Sequence, residues 1–256
     1  KPSNIIICAA KVGGIRENML YPADFIYQNS MIQNNIIHAA YLTGVKNLIF
    51  LGSSCIYPKY SNQPIKEIEL LNGKLETTNQ SYAIAKIAGI EMCRAYNKQF
   101  KTNYKCLMPS NLYGPKDNYN LRSSHFFAAA IRKIYEAKVN KKSKVTFWGT
   151  GQPKREALFV YDLAEAIIFF LNKKVKQNLI NIGSGYELSI KQYVKQISKV
   201  LDYKGNIIFN NDKKLDGTPR KVVNNNLAKK FGWKSKYNFN EGIKITIDDF
   251  VKNKKF

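Results

Sequence analysis

In the stretch "SYAIAKIAG", Tyr82 and Lys86 stand four positions apart. On a helix that spacing puts both side chains on one face. A phenol with an ordinary pKa of about 10 is a poor acid or base at neutral pH, but a neighbouring ammonium favours its phenolate. The pair could therefore pass a proton to or from a carbonyl oxygen while a hydride moves at the carbon. Alone the spacing says little, because Tyr and Lys fall four apart on many amphipathic helices. A second group sits upstream in "GSSCIYP", Gly52 to Pro58, directly after the apolar run "NLIFL". Two hydroxyls and a thiol, Ser53, Ser54 and Cys55, occur where a strand runs out into a loop. In open α/β sheets that edge is where ligands bind. The residues either cap the loop or do chemistry, and Ser53 could hold the same carbonyl oxygen that Tyr82 protonates. His125 is one of two histidines; it follows Ser123 and Ser124 and by itself reads as an ordinary helix N-terminal residue.

The elements that would position these groups alternate. "NIIICAA" (4–10) reads as a strand followed by the flexible "KVGG". Residues 21–44 carry apolar side chains at helical spacing and stop at Gly44. "VKNLIFLGSS" is the next strand, residues 82–100 a strong helix, and "YKCLMPSNLYGP" (104–115) a further strand ending in a polar turn. Beyond it come a helix near 125–137, a turn "FWGTGQPKRE", a helix "VYDLAEAIIFFLN", a strand and loop "NLINIGSG", a helix "SIKQYVKQISKVL", a strand near 206–209 and a Lys-rich finish. Alternation of strand and helix predicts an α/β fold with a doubly wound parallel sheet. We expect the Rossmann-type portion to take residues 1–118 and 155–182, and a smaller α+β portion 119–154 and 183–256. The chain opens on Lys1-Pro2-Ser3 and goes straight into a strand, which reads as entry into the middle of a sheet.

With 256 residues, 45% of them hydrophobic, the chain can bury a sizeable core. No apolar run approaches the roughly 18 residues of a membrane span, and no signal-peptide pattern opens it. Cys8, Cys55, Cys93 and Cys106 are scattered without metal-ligand spacing, so no metal is expected. They fit a reduced, cytoplasmic protein, with Cys8, Cys93 and Cys106 as core thiols. The formal net charge is +23. Its lysines are spread through asparagine-rich stretches such as "NKKVKQN" and "LAKKFGWKSK", with no nucleic-acid-binding motif, so a solvated basic surface is expected. Such a field would still favour a polyanionic small substrate.

Ser53, Tyr82 and Lys86, in this order on this strand–helix pattern, resemble the short-chain dehydrogenase/reductase superfamily. "MPSNLYGP" matches that group's habit of ending the next strand in a Pro-x-Asn turn beside the nicotinamide. More narrowly, "AAKVGGI", "YPADFIYQN", "FLGSSCIYPK", "SYAIAKIAG", "NLYGP", "SSHF", "WGTGQPKRE" and "GTPRK" occur in the order and spacing of the GDP-L-fucose synthase family. That resemblance implies NADPH-dependent epimerisation at C3 and C5 and reduction at C4 of a GDP-4-keto-6-deoxy sugar by a homodimer.

The same resemblance implies roles for individual residues. Ser53, Tyr82 and Lys86 would carry the reduction, with Cys55 and His125 as base and acid of epimerisation. NADP(H) would lie along Leu51, Gly52, Ser53 and Ser54, beside Tyr82 and Lys86. Pro109, Ser110, Asn111, Leu112 and His125 would complete its nicotinamide end. Lys133, Trp148, Arg155 and Asn224 would contact the GDP-sugar. No GxxGxxG occurs in these 256 residues, so a chain starting at Lys1 is expected to bind NADPH weakly. Three departures bear on the substrate. Lys133 replaces an arginine and loses its bidentate fork, Asn224 replaces an aspartate, and "NQSYAIAK" lacks the usual Glu-Pro. They leave the reaction type standing and open the choice of sugar, heptoses included. The competing readings are a pure 4-reductase or other epimerase on this scaffold, and a non-catalytic binding protein on a decayed reductase fold.

Overall fold

The computed structural model describes residues 2–253; Lys1 and the last three residues of the "KNKKF" finish lie outside them. The first half runs β1 (Asn4–Ile7), α1 (Ile15–Leu20), α2 (Pro22–Leu42), β2 (Asn47–Leu51), α3 (Gln80–Phe100), β3 (Asn103–Pro109) and β4 (Asn111–Tyr113). After α4 (Phe126–Val139) come β5 (Lys144–Phe147), β6 (Lys154–Phe159), α5 (Val160–Asn172), β7 (Leu179–Ile182) and β8 (Glu187–Ser189). The chain continues through α6 (Ile190–Val200), β9 (Asn206–Phe209), β10 (Arg220–Lys221), α7 (Asn226–Lys230) and α8 (Phe239–Asn253).

The principal sheet is all parallel, in the order β1-β2-β3-β7. A parallel sheet needs helices on both faces, so its strands read as continuous apolar runs. In β2, Leu48 and Phe50 point into a core shared with Ile37 of α2 and Ile90 and Cys93 of α3. The intervening Ile49 points the other way, to Leu163, Ala166 and Phe170 of α5. In β3 the α5-facing position is taken by Lys105, which is 2% exposed and donates from Nζ to Phe170 O at 2.8 Å. The acceptor is one of the last carbonyls of α5, where a cation is favoured. Gly44, at φ +69°, ends α2 in the left-handed conformation that glycine adopts without strain.

The second half is organised around a different sheet. β6 lies between β4 and β10, parallel to both, and also pairs antiparallel with β8. β5 and β9 form a parallel pair of their own. Helices α4, α6 and α8 pack over an aromatic core of Tyr113, Phe127, Tyr193 and Phe239.

Several expectations need correction. "FWGTGQPKRE" is not simply a turn: it carries the end of β5 and the start of β6, with Gly149 and Gly151 at positive φ between them. Of the 155–182 segment, α5 and β7 belong to the principal sheet, but β6 joins the second one. Cys8 is exposed at the edge strand's C-terminal end, whereas Cys93 and Cys106 are buried as expected. The lysine-rich finish contains α8, whose Phe239, Ile243, Ile247 and Phe250 are buried.

One buried amide ties the two halves together near the candidate residues. Asn181 of β7 is fully buried and accepts a hydrogen bond from Tyr57 Oη at 2.6 Å. Its Nδ2 donates to Ile65 O at 2.9 Å and to Asn224 O at 3.3 Å, and its backbone N–H donates to Glu67 Oε1 at 2.9 Å. Ile65 and Val223 form a parallel bridge alongside. Tyr57 lies two residues past Cys55, and Asn224 three past Lys221, so this amide fixes both segments. Asn181→Leu would leave the buried Tyr57 hydroxyl and Asn224 O short of a partner, while Ile65 O keeps the Asn224 N–H. At about 1–3 kcal/mol for each unsatisfied group, partly relieved by relaxation, we expect a loss of about 2–4 kcal/mol. Urea denaturation should show this as a lower midpoint at unchanged slope; an unaltered midpoint would show that the clamp carries no weight.

Candidate active site

The C-terminal end of β2 is built to release the chain sharply. Gly52 N–H donates to Leu107 O at 3.0 Å, and the Met108 side chain fills the space where a Cβ at position 52 would lie. Ser53 then caps a single helical turn at Ser54–Ile56, its Oγ accepting from Cys55 N–H at 3.2 Å. The loop-capping and chemical readings of this stretch are therefore compatible, because the Ser53 hydroxyl keeps its own proton to donate.

Helix α3 brings Tyr82 and Lys86 to this turn on one face. Lys86 is 3% exposed and donates from Nζ to Leu51 O at 2.9 Å, with the Phe50 and Tyr82 ring centroids at 4.8 and 5.9 Å. Burial pulls its pKa down to about 8, with the Cys8 sulfur opposing. Burial also pushes the Tyr82 phenol well above its ordinary value; nearby Cys55 pushes the same way and the Ser53 hydroxyl partly offsets both. The expected phenolate is thus absent: a part-desolvated ammonium nearly 6 Å from the ring does not outweigh the cost of an anion here. Tyr82 is a protonated donor.

Cys55 shows the opposite balance. Burial would raise its pKa, but the Lys221 ammonium and hydrogen bonds from Ser53, Lys221 and Asn79 outweigh it and hold the thiol below its ordinary value. Lys221 Nζ and Asn79 Nδ2 each donate to Cys55 Sγ at 3.2 Å. As a residue Cys55 is half-buried, with protein packed closely around its thiol. Neither Lys221 nor Asn79 is among the sequence-predicted site residues. The signals for them lie in "GTPRK" and at the start of "NQSYAIAK".

His125 is the N-cap of α4, its carbonyl accepting from Ala129 N–H at 3.0 Å. The preceding turn is tied to the loop after β1 by Gly14 N–H to Ser123 O at 3.2 Å, which brings it to the same edge of the principal sheet. Its imidazole is exposed at the edge yet crowded by protein behind; burial holds its pKa below the ordinary value, with Asp117 opposing. No hydrogen bond between described residues joins His125 to Cys55 or Tyr82.

The predicted substrate residues divide. Lys133 on α4 places Nζ 5.3 Å from the ring centroid of Trp148, which is 62% exposed and so presents an open aromatic face. Arg155 on β6 spends donors on Lys154 O, Thr218 O and Asp216 O, at 2.8, 2.7 and 3.3 Å, pinning the 216–218 loop while lying close enough to Cys55 to feel its charge. Asn224 is not brought to this group: its Oδ1 accepts from Asn226 N–H at 2.9 Å, and it lines a separate 450 Å³ hollow with Lys66, Glu67 and Lys230.

The residues flanking the ends of β2 and β3 fit the nicotinamide end of a dinucleotide. Leu51, Gly52 and buried Ser54 lie on one side, and Pro109, Ser110, Asn111 and Leu112 on the other. Ser110 Oγ is buried without a partner, an orphan that a bound polar group would satisfy. Asn111 Nδ2 donates one hydrogen to Glu156 O at 3.0 Å, which fixes the side chain against this wall. The described residues contain no cluster that could hold a metal ion.

Comparison with known proteins agrees with this geometry. Residues 1–183 match the NAD dependent epimerase/dehydratase family. The chain is 47% identical over 253 residues to a GDP-L-fucose synthase of Sinorhizobium fredii, covering 99% of this chain and 80% of that protein. Among solved structures, a GDP-6-OMe-4-keto-L-xylo-heptose reductase from C. jejuni superposes with a TM-score of 0.92 at 32% identity, covering 98% of this chain and 83% of that one. A GDP-L-fucose synthetase from Naegleria fowleri bound to NADP gives 0.90 at 29% identity, with 98% and 77% covered. With its Ser–Tyr–Lys group on a parallel α/β sheet, the chain belongs to the GDP-L-fucose synthase branch of the NAD dependent epimerase/dehydratase family.

Proposed function

We propose that the protein epimerises a GDP-4-keto-6-deoxy sugar at C3 and C5 and reduces it at C4 with NADPH, giving GDP-L-fucose or a close relative. The observation that carries this is the contact of two donors on Cys55 Sγ directly beside Ser53 and Tyr82. A simple reductase has no use for a thiol held in that state. When bound, NADPH would supply the hydride to C4.

Protons alpha to a ketone are acidic enough for a placed thiolate to remove. Cys55 takes the proton from C3 or C5, and the charge that develops on the C4 oxygen is held by the Ser53 hydroxyl. His125 in its protonated form returns a proton to the opposite face; its lowered pKa makes that imidazolium the stronger acid. Both groups then re-equilibrate with water. In reduction, Tyr82 gives its proton to the C4 oxygen, and the Lys86 ammonium stabilises the phenolate left behind. Lys133, Trp148 and Arg155 would hold the nucleotide diphosphate. A second reading, reduction of another GDP-4-keto sugar such as a heptose, is favoured by Lys133 and Asn224 standing where the family has other residues.

We read the protein further as a cytoplasmic homodimer with no nucleic-acid or membrane partner. Free cysteines support the reducing compartment, and exposed Tyr27, Met31 and Leu42 on α2 offer an apolar face for pairing. No helix among the described residues is long and apolar enough to cross a membrane. Sedimentation equilibrium should give twice the 29.3 kDa chain mass; the single-chain mass would refute the dimer.

The two chemistries should separate genetically. Tyr82→Phe should lower NADPH oxidation by about 10²–10⁴-fold, the usual worth of a general acid, while deuterium exchange at C3 and C5 from heavy water largely persists. Cys55→Ser should abolish that exchange, followed by NMR on a GDP-4-keto-6-deoxy hexose. Wild-type exchange in Cys55→Ser would remove the epimerase half of this reading.

Lys86 sets an alkaline limit. Its pKa is depressed to about 8, so the ammonium is lost as pH rises through that value. The kcat/KM for NADPH oxidation, which reports the free enzyme, should fall about tenfold per unit above it. A profile flat to pH 10 would show that reduction does not need this charge.

A further inference from the structure

Strand β10 is only two residues long, and its side chains point to opposite faces. Arg220 turns to Glu187 of β8, with Nε 3.1 and 2.9 Å from the two carboxylate oxygens. Lys221 turns the other way. Among the described residues no carboxylate pairs with it, and its Nζ meets Cys55 Sγ at 3.2 Å across 166 residues of sequence. The register that delivers it is fixed twice: Lys221 is paired with Arg155 across β10 and β6, and Val222 N–H donates to Gln63 Oε1 at 3.0 Å.

The surroundings of the sulfur are otherwise neutral or distant. Asn79, in the turn before α3, donates from Nδ2 at 3.2 Å. From α3 the nearby titratable group is the protonated Tyr82, and from β6 the charged group is Arg155, whose donors are turned to the 216–218 loop. Among the described residues, Lys221 is thus the one full charge in hydrogen-bond contact with Cys55. A compact ammonium suits a sulfur that alternates between thiolate and thiol, since it demands no planar geometry from its partner.

We propose that Lys221 is the positioning residue that supplies the charge against which Cys55 works as a base, with Asn79 as its neutral second donor. This rests on the reading of Cys55 as the epimerisation base. Lys221 touches neither the reacting carbon nor the carbonyl; it acts through the sulfur, fixing its direction and favouring its thiolate. An opposite charge within about 4–6 Å moves an ionisable group by about 1–3 pH units.

The test follows the thiol itself and the chemistry separately. In a Cys8→Ser background, with Cys93 and Cys106 buried, thiolate absorbance at 240 nm and iodoacetamide alkylation report Cys55 across pH. Lys221→Met should move the Cys55 midpoint up by about 1–2 units. It should slow deuterium exchange at pH 7 by about tenfold or more, with recovery as pH is raised. Lys221→Arg should keep the midpoint within half a unit, and Asn79→Ala should shift it less than Lys221→Met. An unmoved midpoint and exchange profile in folded Lys221→Met, with Cys55→Ser inactive in exchange, would overturn the proposal alone. Should Lys221→Met fail to fold, Lys221→Gln against Lys221→Arg makes the same comparison, and equal midpoints overturn it. Exchange that survives in Cys55→Ser would instead overturn the reading of Cys55 as base, and this inference with it.

Discussion

The side-chain amide of Asn181 is the constraint on which the rest of the site depends. It stands on the fourth strand of the principal sheet, yet all three of its hydrogen bonds leave that sheet. Through Tyr57 it holds the turn that carries Ser53 and Cys55, and through Asn224 and Ile65 it holds the segment after β10. A carboxamide suits this position because it both donates and accepts without a charge to desolvate. An apolar residue would pack as well but would let the two segments drift. Cys55 and Lys221, so far apart in sequence, meet because one amide fixes both of the loops they stand on.

Within that frame, burial sorts three ionisable groups into different jobs. It keeps Tyr82 protonated, brings Lys86 within reach of neutral pH, and would raise the Cys55 pKa too were it not outweighed by the donors on its sulfur. In the proposed mechanism, reduction would draw on the phenol that burial keeps protonated, and epimerisation on the thiol whose pKa the contact charge lowers.

Much of this was legible in the sequence, and the failures have physical causes. Helix α5 could be read residue for residue because its apolar stripe is uninterrupted. Helix α2 was marked by the Gly44 stop. Strands β5 and β6 were hidden by Gly149 and Gly151, which dominate a turn signal between short strands whose partners lie far away. The apolar spacing of Phe239, Ile243, Ile247 and Phe250 was present but submerged in lysine and asparagine. Cys8 read as core because it follows three isoleucines, whereas β1 is an edge strand and the residues after it open to solvent. Of the candidate site, Ser53, Tyr82 and Lys86 came from local pattern and Cys55 and His125 from the family resemblance, though the protonation state of Tyr82 came from neither, since burial is a tertiary property. Asn79 and Lys221 lie in "NQSYAIAK" and "GTPRK", but nothing local in either stretch points to Cys55; their contacts to it span 24 and 166 residues.

Arg155 is anchored by the carbonyls of Asp216 and Thr218, only a few residues before Lys221 on a short, glycine-containing loop. The same arginine stands beside the strand that delivers the lysine. A substrate phosphate that drew the guanidinium toward itself would pull on that loop, and so on the ammonium at the sulfur. Arg155 thus binds the loop that leads into the strand carrying Lys221, and the two residues are one mechanical unit: perturbations at them should not add as independent sites do.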